Sequence, residues 1–522
     1  MNIARMLSLL AICGAAACAQ ELDPAKLLQP PTDTWPSYNG DYSGRRFSPL
    51  SQIDASNVRS LALKWMFRTR DTGGDWIIKA TPLEVNGILY LTVPNNVWAV
   101  DARNGHEIWH YRYPANAAWV IGNRGVGMYG DWLYFESPDN YLISLNAKDG
   151  KERWRVKIAD VKLEYFSTMA PIVVKNHVLV GVGGDSLDNP GFLESRDPET
   201  GALQWHWNSE PSPGAPGSET WPDADSMTHG GGMTWMPGTY DPELNLIYWG
   251  TGNPNPVHAG QGRKGENLWT CSIVALNPDT GKMSWYFQPS PHDTHDWDAV
   301  QTPVLFDGQF QGKDRKLLAQ ASRNGYFFLL DRATGEHLLT APFVDINWSK
   351  GVDRRGQPVP DPAKEPSRNG TLVTPSSGGA TNWWAPSFDP ETGLFYVNAS
   401  QNYSVFYLTA EGKAEGFAGR DSGLPSLAGF TKAIDYRTGE VRWSHESEDQ
   451  SVTGLLSTAG KLLFTGDSSG HLLALDPVQG TTLWHVSTGQ YLGNGPMTYE
   501  LDGKQYVLFG AGDTLLAFGL PE

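Results

Sequence analysis

Ala99-Val100-Asp101-Ala102-Arg103-Asn104-Gly105-His106-Glu107-Ile108-Trp109 holds the pattern that decides the fold: a small residue, Asp two later, Gly four further on, and Trp after another four. Asp at the end of a strand caps a tight turn, Gly takes the positive φ that the turn requires, and Trp opens the returning strand. The same spacing recurs at Ser144-Asn146-Gly150-Trp154, Ser195-Asp197-Gly201-Trp205, Ala275-Asn277-Gly281-Trp285, Ala433-Asp435-Gly439-Trp443 and Ala474-Asp476-Gly480-Trp484. Leu329-Asp331-Gly335-Leu339 is a further copy, with Leu in place of Trp. Unrelated hairpins would not keep both distances constant. The Asp or Asn positions lie 45, 51, 80, 54, 104 and 41 residues apart. Roughly 40–50 residues hold the strands of one propeller blade, so the two long intervals read as blades with inserted loops, near 206–233 and 340–381. Leu515-Leu516-Ala517-Phe518 supplies the inner half of one more copy and Leu63-Lys64-Trp65-Met66-Phe67 the outer half. The expectation is an all-β, eight-bladed propeller spanning 20–522, closed by strands from both ends of the chain.

The composition agrees. The 522 residues include 21 Trp, 57 Gly and 36 Pro, with 40% apolar and 19% charged side chains, as a turn-rich β protein with a large core requires. A net charge of −17 argues against a nucleic-acid partner, whose phosphates need a basic face. Residues 1–19 read as a secretory signal: Arg5, then Leu7-Ser8-Leu9-Leu10-Ala11-Ile12, then Ala17-Cys18-Ala19 before the cut. This predicts a periplasmic or extracellular protein, with lipid anchoring at Cys18 the less favoured reading and no later run long enough to span a membrane. Cleavage leaves Cys271 as the one cysteine, so no intramolecular disulfide is expected. No C-x-x-C-H run for covalent haem occurs.

The repeat, together with Asn123-Arg124-Gly125, Gly230-Gly231-Gly232, Gly250-Thr251-Gly252-Asn253, Trp297-Asp298, Arg323-Asn324-Gly325 and Asn382-Trp383-Trp384, resembles the quinoprotein alcohol dehydrogenases, which bind pyrroloquinoline quinone (PQQ) at the centre of the ring. The resemblance runs from about Trp35 onward. It implies Asp298 as the general base facing Ca²⁺, Asn253 as an amide ligand, and Arg323 as the donor to the reactive quinone oxygens. It implies Trp235 as the indole stacked on one face of the quinone, close glycine backbone supporting that role. Arg124, Thr168 and Asn382 then contact the cofactor's edge and carboxylates, and Trp383 closes the site. The position two after Asp298 is Val300, whereas lanthanide-using relatives carry a further aspartate there, so Ca²⁺ is the implied ion.

Four positions depart from the family pattern. Its glutamate metal ligand falls at Ser186, which makes Asp185 the nearer candidate. Its vicinal cysteines fall at Ala118-Trp119, leaving Trp119 to cover the quinone's second face. Lys79 stands where a glutamate is usual and can pair with a PQQ carboxylate. A late tryptophan is replaced by Val452. The leading expectation is a periplasmic PQQ dehydrogenase that oxidises an alcohol and passes electrons to a separate soluble cytochrome c. The alternative is a propeller that has lost the chemistry and serves as a protein-binding scaffold.

Overall fold

The computed structural model describes residues 21–70, 72–74, 76–114, 120–184, 187–409, 416–425, 428–447 and 453–521. Residues 1–20, where the export signal is expected, and Ala118, Trp119, Asp185, Ser186 and Val452 lie outside them. Seven antiparallel meanders run consecutively over residues 83–112, 127–157, 172–208, 239–287, 304–342, 387–447 and 456–487. An eighth sheet joins the two ends of the chain: Ala62–Arg68 pairs with Thr514–Gly519, followed by Lys504–Ala511 and Met497–Leu501. Trp65 lies opposite Ala517 and Phe67 opposite Leu515. The protein is all-β, with propeller-like blades. Among the described residues no helix is long and apolar enough to cross a membrane.

Neighbouring sheets explain the invariant spacing of the repeat. Six of the indoles lie over the turn glycine of the next copy: a Cβ on Gly150 would come within 2.6 Å of Trp109, and one on Gly480 within 2.4 Å of Trp443. Only glycine leaves room for the ring, and at φ +69° and +72° it carries no Cβ penalty. The indole N–H then reaches the carbonyl one residue after the turn's Asp or Asn. Trp65 donates to Ala102 O at 3.1 Å, Trp109 to Ala147 O at 3.0 Å, Trp285 to Arg332 O at 3.1 Å and Trp443 to Pro477 O at 3.0 Å. Each of these four Trp thus buries apolar area and satisfies its polar atom in one placement, whereas the buried Trp154 Nε1 has no partner among the described residues. Where Leu339 replaces Trp, Ala341 and Leu339 cover Gly439 instead.

A segment near the start of the chain touches all eight sheets. Trp35 exchanges two backbone hydrogen bonds with Glu84, and Leu22 N–H reaches Gly130 O. The Tyr42 hydroxyl reaches Val173 O. The carbonyls of Tyr42, Ser43, Arg45 and Arg46 accept from Tyr240, Leu305, Phe388 and Ser457 in turn. The Arg46 guanidinium, fully buried, donates to the carbonyls of Leu455, Tyr38 and Pro496. The partners ascend in sequence from one sheet to the next, and most lie on a sheet's first strand. That strand therefore faces a common hub.

The insertions differ from the expected pair of loops. The 104-residue interval holds two, 343–386 and 402–427, the second carrying the hairpin Ser404–Leu408 and Gly419–Gly423. The 80-residue interval likewise divides into 209–238 and 251–272. Turn spacing reports only the total length between copies, so it cannot show where an insertion divides.

Glu84 is fully buried on Leu83–Val85. One carboxyl oxygen accepts Gly87 N–H at 2.6 Å and the other has no partner among the described residues. Burial pushes its pKa from 4.5 up to about 8. The folded protein therefore holds a proton that the unfolded chain releases. The resulting stabilisation is complete below pH 4.5 and is lost as the pH rises through about 8. The slope is about 1.4 kcal/mol per pH unit inside that window. Glu84→Gln keeps the acceptor for Gly87 without an ionisable proton. Urea melts at pH 5, 7 and 8.5 should show the variant's stability falling less with pH than the parent's.

Candidate active site

Three connecting segments, none of them on a strand, build the site. Gly230, Gly231 and Gly232, at φ +73°, +101° and +67°, wedge between the backbones of 189–191 and 253–255. Gly231 N–H reaches Asn189 O at 3.0 Å, and Gly232 N–H reaches Asn253 O at 2.7 Å. The close approach expected of these glycines is thus to neighbouring backbone, and it holds Asn253 in place. Residues 251–253 also lie along 298–299: Ala299 N–H donates to Thr251 O at 3.0 Å, and Asn253 N–H to Asp298 Oδ1 at 2.8 Å.

The acidic run 291–298 divides by environment. Asp293 is buried and caps the loop, accepting the N–H groups of Asp296 at 2.9 Å and Trp297 at 3.1 Å; burial pushes its carboxyl up to about 6. His295 is buried, stacked on Trp297 at 4.4 Å, and burial pushes it down to about 3, so it is neutral. Asp296, in the left-handed region at φ +68°, and Asp298 are the two carboxylates that face Asn253. One atom of the Asn253 side-chain amide lies 3.1 Å from Asp296 Oδ1 and 3.0 Å from Asp298 Oδ1. With NH₂ inward the amide donates to both, and with its carbonyl inward three oxygens converge, as a hard cation requires. Among the described residues no group of three or more His, Cys, Asp or Glu side chains forms a cage.

Asp298 is 3% exposed and well occupied. Besides Asn253 N–H, it accepts Trp235 Nε1 at 2.9 Å and Arg323 Nη1 at 2.8 Å, both on Oδ2. Arg323 Nη2 stands 3.4 Å from Asp296 Oδ2, so one guanidinium spans both carboxylates. Burial alone would lower the pKa of Arg323, but Asp296, Asp298 and Asp293 more than offset it and hold the group above its ordinary value.

Beside this centre lies a second charge arrangement of opposite sign. Arg124 is buried, its guanidinium 4.8 Å from the Trp235 ring and 4.9 Å from the Trp383 ring. It donates to the Thr168 hydroxyl, while its Nε has no partner. Burial pushes Arg124 down to about 10. Lys79 Nζ reaches Ile121 O at 2.6 Å, and burial followed by repulsion from Arg124 lowers its pKa. Among the described residues neither cation has an ion-pair partner. Two partly desolvated cations without a counter-ion, in a chain of net charge −17, suit an anionic guest. Tyr38, Ala170, Met236 and Val300 form an apolar cluster against which Trp235 and Trp383 pack. Asn382 donates to Gly378 O at 2.8 Å and accepts Trp383 N–H, both within its own loop.

The family model for "PQQ: Glucose/ethanol/alcohol dehydrogenase, beta-propeller domain" matches residues 35–358 and 428–507. The chain belongs to the PQQ-dependent alcohol dehydrogenase family. It is 37% identical over 543 residues to the quinohemoprotein alcohol dehydrogenase ADH IIB of Pseudomonas putida, covering 97% of this chain and 78% of that protein. It is 35% identical over 548 residues to the quinoprotein alcohol dehydrogenase PedH of Pseudomonas putida, covering 97% and 90%. The crystal structure of the quinohemoprotein alcohol dehydrogenase from Comamonas testosteroni superposes with a TM-score of 0.89 at 32% identity, covering 97% of this chain and 85% of that one. Within the family pattern, the structure brings together Asn253, Asp298, Arg323 and Trp235, and Arg124 with Thr168 and Trp383. It adds Asp296, Asp293 and Tyr38. Asp296 was within reach of sequence reasoning, lying in the same acidic run; Tyr38 had no motif to mark it.

Proposed function

We propose that the protein is a periplasmic PQQ-dependent dehydrogenase that oxidises an alcohol and hands the electrons to a separate soluble cytochrome c. The eight sheets form the blades of one ring, closed by the sheet that joins Ala62–Arg68 to Thr514–Gly519. The observation that carries the reading is Arg323 gripping Asp296 and Asp298 over Asn253, next to Arg124 and Lys79, which have no counter-ion among the described residues. The bound cofactor supplies the hydride-accepting quinone, and Ca²⁺ at Asn253, Asp296 and Asp298 supplies Lewis acidity. Arg124, Lys79 and Thr168 hold the cofactor's carboxylates, and Trp235 supports its ring.

The structure motivates dividing two roles that the family resemblance gives to Asp298 alone. A carboxylate offers about four lone-pair positions, and Asp298 already accepts from Asn253, Trp235 and Arg323. The position left over serves the cation or the alcohol, not both. Asp298 is therefore the anchoring ligand, and Asp296, with its side chain 23% exposed, receives the alcohol proton. Arg323 stays cationic throughout and donates to the charge that develops during oxidation. Asp296 also furnishes the second carboxylate that Ser186 does not.

Counted from Asp296, the residue two positions on is Asp298, the carboxylate that marks lanthanide-using relatives in the family pattern. The donor set is accordingly expected to accept La³⁺ as well as Ca²⁺. Protein incubated with PQQ and either ion should take up one cofactor per chain, with quenched tryptophan emission, and should reduce a dye with ethanol as donor. Failure to bind PQQ with both ions present overturns the reading and leaves the scaffold alternative.

A further inference from the structure

The hairpin Ser404–Leu408 and Gly419–Gly423 bridges two sides of the site. On one side its extension meets residues from earlier sheets: Gly416 N–H donates to Asp188 Oδ1 at 2.9 Å, Val257 N–H to Gly416 O at 2.9 Å, and His258 N–H to Phe417 O at 3.0 Å. On the other side Asp421, opposite Phe406 in the hairpin, accepts two hydroxyls on one oxygen: Ser377 Oγ at 2.8 Å and Ser404 Oγ at 2.8 Å.

Ser377 belongs to a turn moulded on Arg323. Arg323 Nη2 donates to Ser377 O at 2.5 Å, and Ala380 N–H to Arg323 O at 2.8 Å. Gly379, at φ +83°, packs so closely that a Cβ there would come within 2.7 Å of Arg323 Cβ. The preceding residue holds the acidic loop, because Trp297 Nε1 donates to Ser376 O at 2.8 Å. Asn402, at the hairpin's base, accepts Ser376 N–H at 2.8 Å and donates to Gly379 O at 3.0 Å.

We propose that Asp421 is a positioning residue for Arg323. It fixes Ser377 through a hydroxyl, Ser377 fixes the guanidinium through its carbonyl, and the seating of the hairpin is thereby coupled to the aim of Arg323 at Asp298. The inference rests on the proposed function for its kinetic consequence but not for its geometry. Asp421 touches neither carboxylate of the centre in the contacts described. Its effect passes through a side chain that must stay within a few tenths of an ångström of its working position.

The test uses full-length protein and has two readouts. The first, independent of PQQ, is the rate at which phenylglyoxal modifies Arg323, followed by mass spectrometry of the Arg323 peptide. Asp421→Ala should label severalfold faster than the parent. Asp421→Asn should label at the parental rate, because an amide oxygen accepts the same two hydroxyls. The second is dye-linked ethanol oxidation: Asp421→Ala should lower kcat roughly tenfold, the scale of lost outer-shell support, with KM within about twofold, and Asp421→Asn should restore it. Ser377→Ala should match Asp421→Ala, and the double variant should be no worse than either single one, as for two members of one chain of contacts. Unchanged Arg323 labelling in Asp421→Ala, or additive losses in the double variant, overturns the proposal. If the parent protein shows no quinone-linked oxidation, the functional reading falls, while the labelling result still decides whether Asp421 positions Arg323.

Discussion

Asp296→Asn nearly abolishes alcohol oxidation while PQQ still binds and the cation is still held, more weakly, through the amide oxygen. The substitution keeps size and one side-chain oxygen, and Asn is among the residues that best tolerate the left-handed backbone at φ +68°, so the loop should hold its shape. What it removes is the ability to take the alcohol proton, a loss of ~10²–10⁴-fold in turnover. Asp298→Asn has a different signature. It strips the charge from a buried pair with Arg323 and disturbs the oxygen that also receives Trp235 Nε1. The expected outcome is a cation and cofactor affinity lowered about 10–100-fold, with the remaining loaded enzyme still turning over. Fluorescence titration with PQQ at several Ca²⁺ concentrations, followed by kcat at saturation, separates the two. Full activity in Asp296→Asn together with dead, fully loaded Asp298→Asn would return the base role to Asp298. Arg323→Ala should slow turnover in either case, since it removes the one cation spanning both carboxylates.

Gly231→Ala should damage fold and site together. An alanine Cβ would lie 2.3 Å from Asn253 O and 2.7 Å from Pro254 Cα, both backbone atoms with nowhere to retreat. Left-handed backbone at φ +101° adds roughly 1–2 kcal/mol and overpacking a further 1–3 kcal/mol. Because Asn253 is the neighbour displaced, cofactor loading should fail even in protein that remains folded. Gly312→Ala is the matched control. Its φ is +75°, yet nothing lies within 4 Å of the added Cβ, so only the backbone cost applies. Urea melts of the two variants should differ by about 2 kcal/mol or more; equal melts would show that the wedge at 230–232 yields freely.

Much was legible in the chain itself. The Asp–Gly–Trp spacing is set by local turn geometry and by an indole that must rest on the next copy's glycine, so a one-dimensional repeat reports a three-dimensional stack. Asn253, Arg323, Trp235 and Arg124 were identifiable because each sits beside a short string with its own backbone demands. The acidic run was another matter. Asp293, Asp296 and Asp298 are nearly equivalent in sequence, and their roles diverge through partners far along the chain: Asp298 draws on residues 25, 45 and 63 positions away. Asp293 instead turns inward to cap its own loop. The division of each long interval into two insertions, the hub from Trp35 to Arg46, and the lack of a counter-ion for Arg124 and Lys79 among the described residues were likewise decided only in the tertiary structure. Spacing along a chain records what neighbouring residues require of each other. Burial, charge balance and the aim of a side chain depend on which distant segments the stack of sheets brings against it.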